Sequence, residues 1–385
     1  MDLDDEFIIH TYGRQPIALD HGSGVKVTDV EGKEYIDCFA GIAVNCLGHN
    51  HPQITEAIIR QAQKLIHISN LYYSEEQVKL AKLLLDNTTH DKLFYCNSGA
   101  EANEGAIKLA RKHTQKSEII TAVNSFHGRT SAALAATGQV HHHEGFGPLT
   151  PGFKYVEYGD IKALESLISD DTAAVLLEPI QGEGGVIVAS ESYLKDVGAL
   201  CRENGVLLIF DEVQTGMGRT GTILASEQYH VKPDITTLAK GIAAGYPFGA
   251  ILANRDVADS FVPGDHGSTF AGNPLGSATA YATLSTLLDE NILDNVKKQG
   301  EYLTQKLETL KTEYPDKIKE VRGKGLLIGM ELTREGGELV DQGRDEGLLL
   351  NCTAGNVIRF APPLIITTEE IDIIVEKITK LIKEY

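Results

Sequence analysis

The sequence predicts an α/β protein with a mostly parallel sheet flanked by helices and a smaller α+β domain. From Pro52 onward, short apolar runs alternate with helical patterns, which is typical of βαβ units. Some of these runs end abruptly in charge, as Val206–Phe210 does at Asp211, and this pattern indicates buried parallel strands. After Asn273 the pattern changes to long helical stretches. We therefore expect a large domain over residues 52–272 and a small domain built from residues 1–51 and 273–385.

The individual elements follow in chain order. Alternating runs on either side of Glu31–Lys33 predict an N-terminal hairpin, and the Gly-, Asn- and His-rich stretch Ile42–Pro52 predicts a loop. Helical patterns cover Leu275–Asp289 and Ile292–Leu310, and an amphipathic helix is predicted at Thr368–Glu384. The candidate strands are Lys92–Tyr95, Glu118–Val123, Lys154–Glu157, Ala173–Leu177, Val206–Phe210, Ile235–Leu238, Phe248–Ala253 and Gly325–Leu332.

The composition excludes some classes of partner. The 385 residues include 35 basic and 54 acidic ones, and this excess of acid argues against nucleic acid or an anionic membrane as partner. The five cysteines are odd in number and have no Cys-x-x-Cys spacing, which is typical of reduced intracellular residues. The first residues are acidic where a targeting peptide is basic, and no apolar run approaches the ~20 residues that span a bilayer. We expect a cytoplasmic protein.

Asp211 and Lys240 form the centre of the predicted site. Each directly or closely follows a predicted strand, so both should lie at the carboxyl edge of the sheet, where open α/β sheets bind ligands. Two isolated residues of this kind are more often a core-edge acid and a solvated lysine. As a pair they suit pyridoxal phosphate, because a lysine amine bonds to the cofactor's aldehyde and an acid keeps its ring nitrogen protonated.

The neighbouring motifs favour the cofactor hypothesis. Leu177–Gly185, Phe210–Gly216 and Leu238–Gly241 occur in this order, and together they closely resemble the class III (ornithine-type) aminotransferases. The resemblance covers essentially the whole chain. It implies fold type I of the pyridoxal-phosphate transferases, with Lys240 and Asp211 as catalytic residues. Lys240 would hold the cofactor and then, as a neutral amine, move a proton between substrate and cofactor, and burial favours that neutral form.

The stretch Cys96–Glu104 follows a predicted strand and begins a helix, so its free N–H groups could bind a phosphate. An ordinary capped helix is the alternative, with Ser98 as the N-cap and Glu101 in a capping box. The resemblance implies that cofactor-binding residues occur here and further along the chain. These are Ser98, Gly99 and Ala100 at the phosphate, Phe126 and Val213 on the two ring faces, Gln214 near O3′, and His127 beside Phe126.

The loop Gly267–Pro274 predicts an assembly. It resembles the family loop whose threonine reaches the cofactor phosphate of the neighbouring subunit, which implies that Thr269 acts across a homodimer interface. The alternative for the end of this loop is a helix start, because Asn273 followed by Pro274 suits the N-cap and N1 positions.

The predicted substrate-binding residues are Arg129, Glu178, Glu183 and Arg359. Arg129 presents a planar guanidinium that can hold a carboxylate with two hydrogen bonds. The resemblance implies that it grips the substrate α-carboxylate. Arg359 stands in an otherwise apolar run, where arginines are usually paired, and the resemblance implies a pair with Glu183. Glu178 belongs to the same motif as Glu183.

Three further stretches, Thr130–Gln139, Gly41–Asn45 and Asn70–Tyr73, resemble the acetylornithine branch of the family. The expected reaction is transamination of N2-acetylornithine with 2-oxoglutarate, giving N-acetylglutamate 5-semialdehyde and glutamate in arginine biosynthesis. The sequence is also compatible with a related ω-aminotransferase that acts on ornithine, succinylornithine, succinyldiaminopimelate or a carrier-linked lysine. An aminomutase of the glutamate-1-semialdehyde type is a further alternative. A non-enzymatic pyridoxal-phosphate regulator would need a basic helix-turn-helix segment, and the sequence has none.

Two other patterns are interpreted as carrying no ligand. Gly216–Gly221 matches G-x-G-x-x-G, but five residues separate it from the preceding strand and no acid stands at the tip of the next one, which argues against a nicotinamide cofactor. The run His141–His143 lies on a Gly- and Pro-rich loop, where adjacent histidines point in different directions. We expect no metal there or at His49 and His51.

Overall fold

The computed structural model describes residues 2–385. The helices are α1 (Asp2–Phe7), α2 (Ala40–Ala43), α3 (Pro52–Lys64), α4 (Glu75–Asp86), α5 (Gly99–Thr114), α6 (Ser131–Ala136), α7 (Ile161–Leu167), α8 (Glu191–Asn204), α9 (Arg255–Ala258), α10 (Pro274–Asp289), α11 (Ile292–Glu313), α12 (Gly337–Asp345) and α13 (Thr368–Glu384). Short 3-10 helices cover Val140–His142, Ala225–Tyr229 and Lys240–Ala243.

The strands are β1 (Leu19–Ser23), β2 (Lys26–Asp29), β3 (Glu34–Asp37), β4 (Lys92–Cys96), β5 (Glu118–Ala122), β6 (Phe153–Val156), β7 (Thr172–Leu177), β8 (Ile180–Gln181), β9 (Ile187–Val188), β10 (Leu207–Asp211), β11 (Ile235–Leu238), β12 (Gly249–Ala253), β13 (Ile318–Lys324), β14 (Leu327–Leu332), β15 (Leu348–Leu349), β16 (Asn351–Thr353) and β17 (Val357–Phe360).

A seven-stranded sheet in the order β4-β12-β11-β10-β7-β5-β6 forms the centre of the molecule. Strands β6, β5, β7, β10 and β11 run parallel to one another, whereas β12 is antiparallel to both of its neighbours. The sheet is therefore mostly parallel and has helices on both faces, which confirms the predicted fold class.

Burial on both faces explains the continuous apolar runs of the central strands. In β10, Leu207 and Ile209 pack into an apolar cluster that includes residues of α5. The alternate residues Leu208 and Phe210 pack into a second cluster that includes residues of α8. Successive side chains of a strand point to opposite faces, so a strand covered on both sides needs an apolar residue at every position.

Smaller sheets bring the two ends of the chain together. One sheet has the order β1-β2-β3-β15 and another the order β13-β14-β17-β16, while β8 and β9 form a two-stranded ribbon. In the first, β3 pairs in parallel with β15, from near the other end of the chain. The N–H of Ala361 also donates to the carbonyl of Cys38 at 2.8 Å. The division into domains at residues 52–272 stays a prediction.

The turn α2 is left-handed. Its residues Ala40, Gly41, Ile42 and Ala43 have φ between 51° and 67°, a conformation that costs L-residues roughly 1–2 kcal/mol each. The carboxylate of Asp37 holds the entry to the turn, accepting hydrogen bonds from the N–H groups of Ala40 at 2.8 Å and Phe39 at 3.2 Å. The turn delivers the following residue, Val44, to the wall of the central cavity.

Two of the predicted elements have a different setting in the structure. The predicted strand Gly325–Leu332 is the second half of a hairpin, because β13 precedes it and pairs with β14. The predicted loop Ile42–Pro52 contains part of the left-handed turn and is otherwise irregular up to α3. Within residues 2–385, no helix combines the length and apolar character that a membrane span requires.

Candidate active site

A cavity of 470 Å³ opens where the carboxyl ends of β10 and β11 meet the N-terminus of α5. This is the sheet edge at which parallel α/β proteins bind ligands. The residues that line it are Val44, Asn97, Ser98, Gly99, Ala100, Asn103, Phe126, His127, Gly128, Arg129, Glu178, Glu183, Asp211, Val213, Gln214, Ala239, Lys240, Gly245, Tyr246, Pro247 and Phe248.

Asp211 ends β10 with a buried carboxylate that three donors hold in place. Oδ2 accepts a hydrogen bond from Asn103 Nδ2 at 2.7 Å and lies 2.7 Å from His127 Nδ1, while Oδ1 accepts from the N–H of Val213 at 3.0 Å. Asn103 is fixed in turn, because its Oδ1 accepts from the hydroxyl of Thr237 on β11 at 2.8 Å. These bonds fix the orientation of the Asp211 side chain, which lines the cavity.

Lys240 follows β11, the strand next to β10, after the single residue Ala239. Asp211 is paired in register with Thr237, so the acid and the lysine are at the ends of neighbouring parallel strands, as the sequence predicts. Lys240 begins a 3-10 helix with φ of 47°, a left-handed conformation that is uncommon for a residue with a side chain. Burial lowers the pKa of its amine and the charge of Arg359 lowers it further, although Glu183 opposes the shift.

The N-terminus of α5 forms one wall of the cavity. Ser98 is the N-cap, and its hydroxyl oxygen accepts from the N–H of Glu101 at 3.2 Å. The carboxylate of Glu101 accepts from the N–H of Asn97 at 2.7 Å. The capped helix and the phosphate site therefore do not exclude each other, because helix geometry leaves the N–H groups of Gly99 and Ala100 without intrahelical acceptors.

Val213 and Gly99 fit closely together beside these N–H groups. A Cβ on Gly99 would lie 2.8 Å from Val213 Cγ1, so a side chain at position 99 would push Val213 out of place. Phe126 lines the same cavity, and its N–H donates to Glu178 Oε1 at 2.9 Å. The roles of Phe126 and Val213 on opposite ring faces stay predictions.

Arg359 is 1% exposed and is paired with Glu183, as the sequence predicts. Its Nη1 donates to Glu183 Oε1 at 2.7 Å and to Gln214 Oε1 at 3.1 Å, and its other nitrogens donate to the side chain of Asn351. Burial alone would raise the pKa of Glu183, but Arg359 and then Lys240 outweigh burial and hold this pKa at about 2. Glu183 is therefore a carboxylate that separates Arg359 from the cavity.

The other predicted substrate residues differ in their surroundings. The guanidinium of Arg129 is exposed at the cavity, 5.6 Å from the centre of the Phe126 ring. Glu178 is buried, and its carboxylate accepts from the N–H groups of Phe126 at 2.9 Å and Gly182 at 3.0 Å. Burial raises the pKa of Glu178 to about 7, with His127 opposing that shift.

Thr269 is the predicted cofactor residue that does not line this cavity. It is exposed and lines a second cavity together with Leu71 and Gln77. Asn273 caps α10 through a 2.7 Å bond from the N–H of Gly276, with Pro274 at the first position of the helix. The helix-start interpretation of Asn273 and Pro274 is therefore confirmed, whereas the role of Thr269 stays a prediction.

Sequence reasoning missed Asn103 and Asn351, which hold Asp211 and Arg359. A signal for Asn103 exists, because it lies four residues before the core residue Ile107 on α5 and therefore on the buried face of that helix.

The glycines of the G-x-G-x-x-G match pack against protein atoms, as a Cβ on Gly216 would lie 2.7 Å from Leu238 Cδ2. Among the residues described, the one group of acids and histidines close enough to share an ion is Asp4, Asp5 and His10, all far from the cavity in sequence.

The residues of the cavity fit pyridoxal phosphate. A helix N-terminus suits a phosphate, a fixed carboxylate suits a protonated ring nitrogen, and a lysine with a lowered pKa suits an aldehyde. The cavity also has an aromatic wall at Phe126 and an aliphatic one at Val213. Fold and site together define a pyridoxal-phosphate enzyme of fold type I.

Comparison with known proteins identifies the family. The model of the class III aminotransferases matches residues 8–382, and the chain belongs to this family. It is 56% identical to an acetylornithine aminotransferase of Methanothermobacter thermautotrophicus, over 100% of this chain and 98% of that protein. Its structure is similar to an ornithine aminotransferase from Toxoplasma gondii (TM-score 0.96, 36% identity, 100% and 94% of the two chains). It is also similar to an acetylornithine aminotransferase from Elizabethkingia anophelis (TM-score 0.89, 39% identity, 100% and 98%).

Proposed function

We propose that this aminotransferase transfers the terminal amine of N2-acetylornithine to 2-oxoglutarate, giving N-acetylglutamate 5-semialdehyde and glutamate in arginine biosynthesis. The observation that carries this choice of donor is the 56% identity, over the whole chain, to an acetylornithine aminotransferase. Backbone similarity does not choose between donors, because an ornithine aminotransferase matches with a TM-score of 0.96. The free cysteines, four of them buried, support a cytoplasmic location.

Several residues of this chain would hold the cofactor. The N–H groups of Gly99 and Ala100, with Ser98, would bind the phosphate, and Asp211 would keep a proton on the ring nitrogen. Phe126 and Val213 would confine the ring, with His127 and Gln214 beside it. When bound, pyridoxal phosphate supplies an electron-accepting ring that carries the amino group from one substrate to the other.

Lys240 would do two things in turn. Its Nζ would bond to the cofactor between reactions, and once displaced by the substrate amine it would accept and return a proton at the substrate carbon that bears that amine. A general base must be unprotonated to do this, and burial lowers the pKa of Lys240 in the required direction. Its place at the end of β11, beside Asp211 on β10, supports this assignment.

The Glu183–Arg359 pair would let one cavity accept two unlike substrates. Acetylornithine carries one carboxylate, which the exposed Arg129 can bind, and 2-oxoglutarate carries two. While Glu183 is in place, it neutralises Arg359 and the cavity suits the monocarboxylate. When 2-oxoglutarate enters, Glu183 would move away so that Arg359 binds the α-carboxylate of the acceptor. Breaking a buried ion pair is costly unless a new carboxylate replaces the old one, so the exchange selects the diacid.

We further propose that the enzyme is a homodimer in which Thr269 binds the cofactor phosphate of the partner subunit. Thr269 is exposed and lies outside the cavity of its own chain. Two large apolar side chains near it are also exposed: Leu71 (86%), which lines the same second cavity, and Phe270 (63%), the next residue in the chain. Exposed apolar residues gathered in this way are typical of a protein interface.

A donor panel tests the proposed reaction. Purified holoenzyme is assayed for glutamate formation from 2-oxoglutarate with acetylornithine, ornithine, succinylornithine and succinyldiaminopimelate. We expect the highest kcat/KM with acetylornithine. A preference for ornithine would contradict the proposed donor, and amine transfer without any need for 2-oxoglutarate would indicate an aminomutase.

Labelling tests the role of Lys240. Borohydride reduction of the holoenzyme should fix the cofactor to the peptide that contains Lys240, as read by mass spectrometry. Lys240→Ala should lack the fixed cofactor and lose activity, whereas Lys298→Ala, which changes an exposed lysine of α11 that does not line the cavity, should retain both. Cofactor fixed to any other lysine would refute the assignment.

A further inference from the structure

The histidine run 141–143 lies close to the active-site cavity, because His142 packs against Phe126, which lines that cavity. His142 ends the 3-10 helix Val140–His142, and the next residue anchors this segment to the protein. The Nε2 of His143 lies 2.8 Å from the carbonyl oxygen of Thr137 and 3.1 Å from that of Leu134. The position of His142 is therefore fixed by its neighbour.

His142 and Arg129 flank the same aromatic ring. The ring of His142 meets that of Phe126 edge to face, with centroids 5.9 Å apart and planes at 83°. The guanidinium carbon of Arg129 lies 5.6 Å from the centroid of Phe126. Phe126 and Arg129 both line the cavity, and His142 lies directly behind this lining, in contact with Phe126.

The charged and titratable groups facing His142 favour a neutral imidazole. Burial lowers the pKa of His142, and the positive charge of Arg129 lowers it further, followed by His141 and His143; Glu183 opposes them. A neutral imidazole carries one donor and one acceptor. That pair of groups complements an amide, which also has one of each, whereas a carboxylate is served better by the guanidinium of Arg129.

We propose that His142 recognises the N2-acyl amide of the amino donor, and this inference rests on the function proposed above. In acetylornithine the carboxylate and the acyl amide are attached to the same carbon atom. If Arg129 binds the carboxylate, the amide is held a few bonds away, and His142 is the side chain that shares the Phe126 ring with Arg129. A hydrogen bond from His142 would then distinguish an acylated diamine from a free one. In the acceptor half-reaction no acyl amide is present, so His142 has no such role.

Two substitutions separate recognition from packing. His142→Phe keeps a ring against Phe126 but removes both nitrogens, and His142→Gln restores a donor and an acceptor without the ring. His141→Phe is the matched control, because His141 is exposed and packs against His142 with centroids 3.9 Å apart. Single-turnover absorbance traces give kcat/KM for acetylornithine, ornithine and 2-oxoglutarate separately.

We expect His142→Phe to lower kcat/KM for acetylornithine about 10-fold, the effect of losing one neutral hydrogen bond, mainly through KM. The values for ornithine and 2-oxoglutarate should change less than about twofold, and His142→Gln should recover part of the loss. An equal loss for acetylornithine and ornithine, or no loss at all, overturns the role of His142 and leaves the proposed reaction standing. A wild-type enzyme that uses ornithine but no acylated diamine overturns both.

Discussion

Arg359 is a buried cation whose charge is balanced by one carboxylate. The pKa of Glu183 is held at about 2, so Glu183 is ionised at neutral pH. Glu183 can leave Arg359 only when another carboxylate takes its place, because an uncompensated buried charge is strongly destabilising. This is why the identity of the group at position 183 should matter for one substrate and not for the other.

The first prediction concerns Glu183→Gln. The variant leaves Arg359 unneutralised while acetylornithine is bound, so the acetylornithine half-reaction should slow by about 10-fold or more. The 2-oxoglutarate half-reaction, in which Arg359 binds the substrate, should be affected much less. Single-turnover absorbance measures the two halves separately. Equal losses in both would mean that Glu183 has a structural role alone.

The second prediction concerns His90, which is buried with Nε2 3.3 Å from the Thr236 hydroxyl. Burial lowers the pKa of His90 from 6.5 to about 4. Above pH 6.5 neither the folded nor the unfolded chain protonates it, so its full stabilising contribution is present there. As pH falls from 6.5 towards 4 the unfolded chain takes up the proton first, and this should lower the free energy of unfolding by about 2 kcal/mol at pH 5.

Urea unfolding of the holoenzyme and of His90→Gln measures this effect. The difference in unfolding free energy between wild type and variant should shrink by about 2 kcal/mol between pH 7 and pH 5. Between pH 7 and pH 8 it should stay constant, which serves as the control. A difference that does not change down to pH 5 would show that His90 is protonated as readily in the folded protein as in the unfolded chain.

The sequence predicts the residues that line the cavity better than the residues that hold those side chains in place. Lys240, Asp211 and Ser98 stand at the ends of recognisable strands and at a helix start, so local pattern places them at one edge. Asn351 reaches Arg359 across the pairing of β16 with β17, and that register becomes known with the tertiary structure. Supporting side chains of this kind depend on contacts between segments far apart in sequence, which a local pattern does not contain.

At the scale of single elements, the left-handed turn α2 is the least predictable feature. Ile42 has φ of 67°, and a β-branched residue in this conformation is a true outlier. Such a conformation persists where the surroundings determine it. Here the N–H of Ala43 donates to the carbonyl of Phe39 at 2.7 Å, and Asp37 fixes the residues before it. The Gly-, Asn- and His-rich composition predicts a loop here, but it does not predict that the turn is left-handed.

The third prediction compares Ile42→Asn with Ile42→Val. Asparagine tolerates the left-handed region and valine does not, so the asparagine variant should be more stable than the valine variant by about 1 kcal/mol. Ile42 is 42% exposed, which limits the loss of packing in both. Thermal unfolding of the two holoenzymes measures the difference. Greater stability of the valine variant would indicate that the turn is not left-handed in solution.

In the central sheet, the positions of the strands can be predicted from the sequence, but the direction of one of them cannot. The apolar runs locate β5, β7, β10 and β11 to within one residue, because strands buried on both faces have a strong pattern. The direction of β12 is not readable in this way. A strand that enters antiparallel between two parallel ones has the same apolar composition as its neighbours, and its direction follows from the path of the connecting chain.

At the scale of the whole molecule, the proposed dimer makes each active site a joint product of two chains. Lys240 and Thr269 of one chain would then serve different sites. This arrangement is isologous, so each subunit gives its partner what it receives. Two defective chains with different defects should therefore complement each other when mixed.

The fourth prediction uses Lys240→Ala and Thr269→Ala. Each homodimer should have little activity, for lack of the lysine or through weak cofactor binding. The two variants are unfolded, combined in equal amounts and refolded with cofactor. Half of the resulting dimers should contain one chain of each variant, and one of the two active sites in each such dimer should be intact. The expected specific activity is therefore about a quarter of that of the wild type. Wild-type chains refolded in the same way are the control. No recovery above the separate variants would show that Thr269 serves its own chain.

The pairing of β3 with β15 also determines when the molecule can finish folding. The ammonium of Lys33, just before β3, donates to the carbonyl of Arg344, 311 residues later. A ribosome adds about 5–20 residues per second, so roughly 15–60 s pass between the synthesis of these two partners. During that interval β3 has an open edge available to other unfinished chains. Arg359, which pairs with Glu183 at the cavity, is made later still, so the active site cannot be complete until nearly the whole chain has been synthesised.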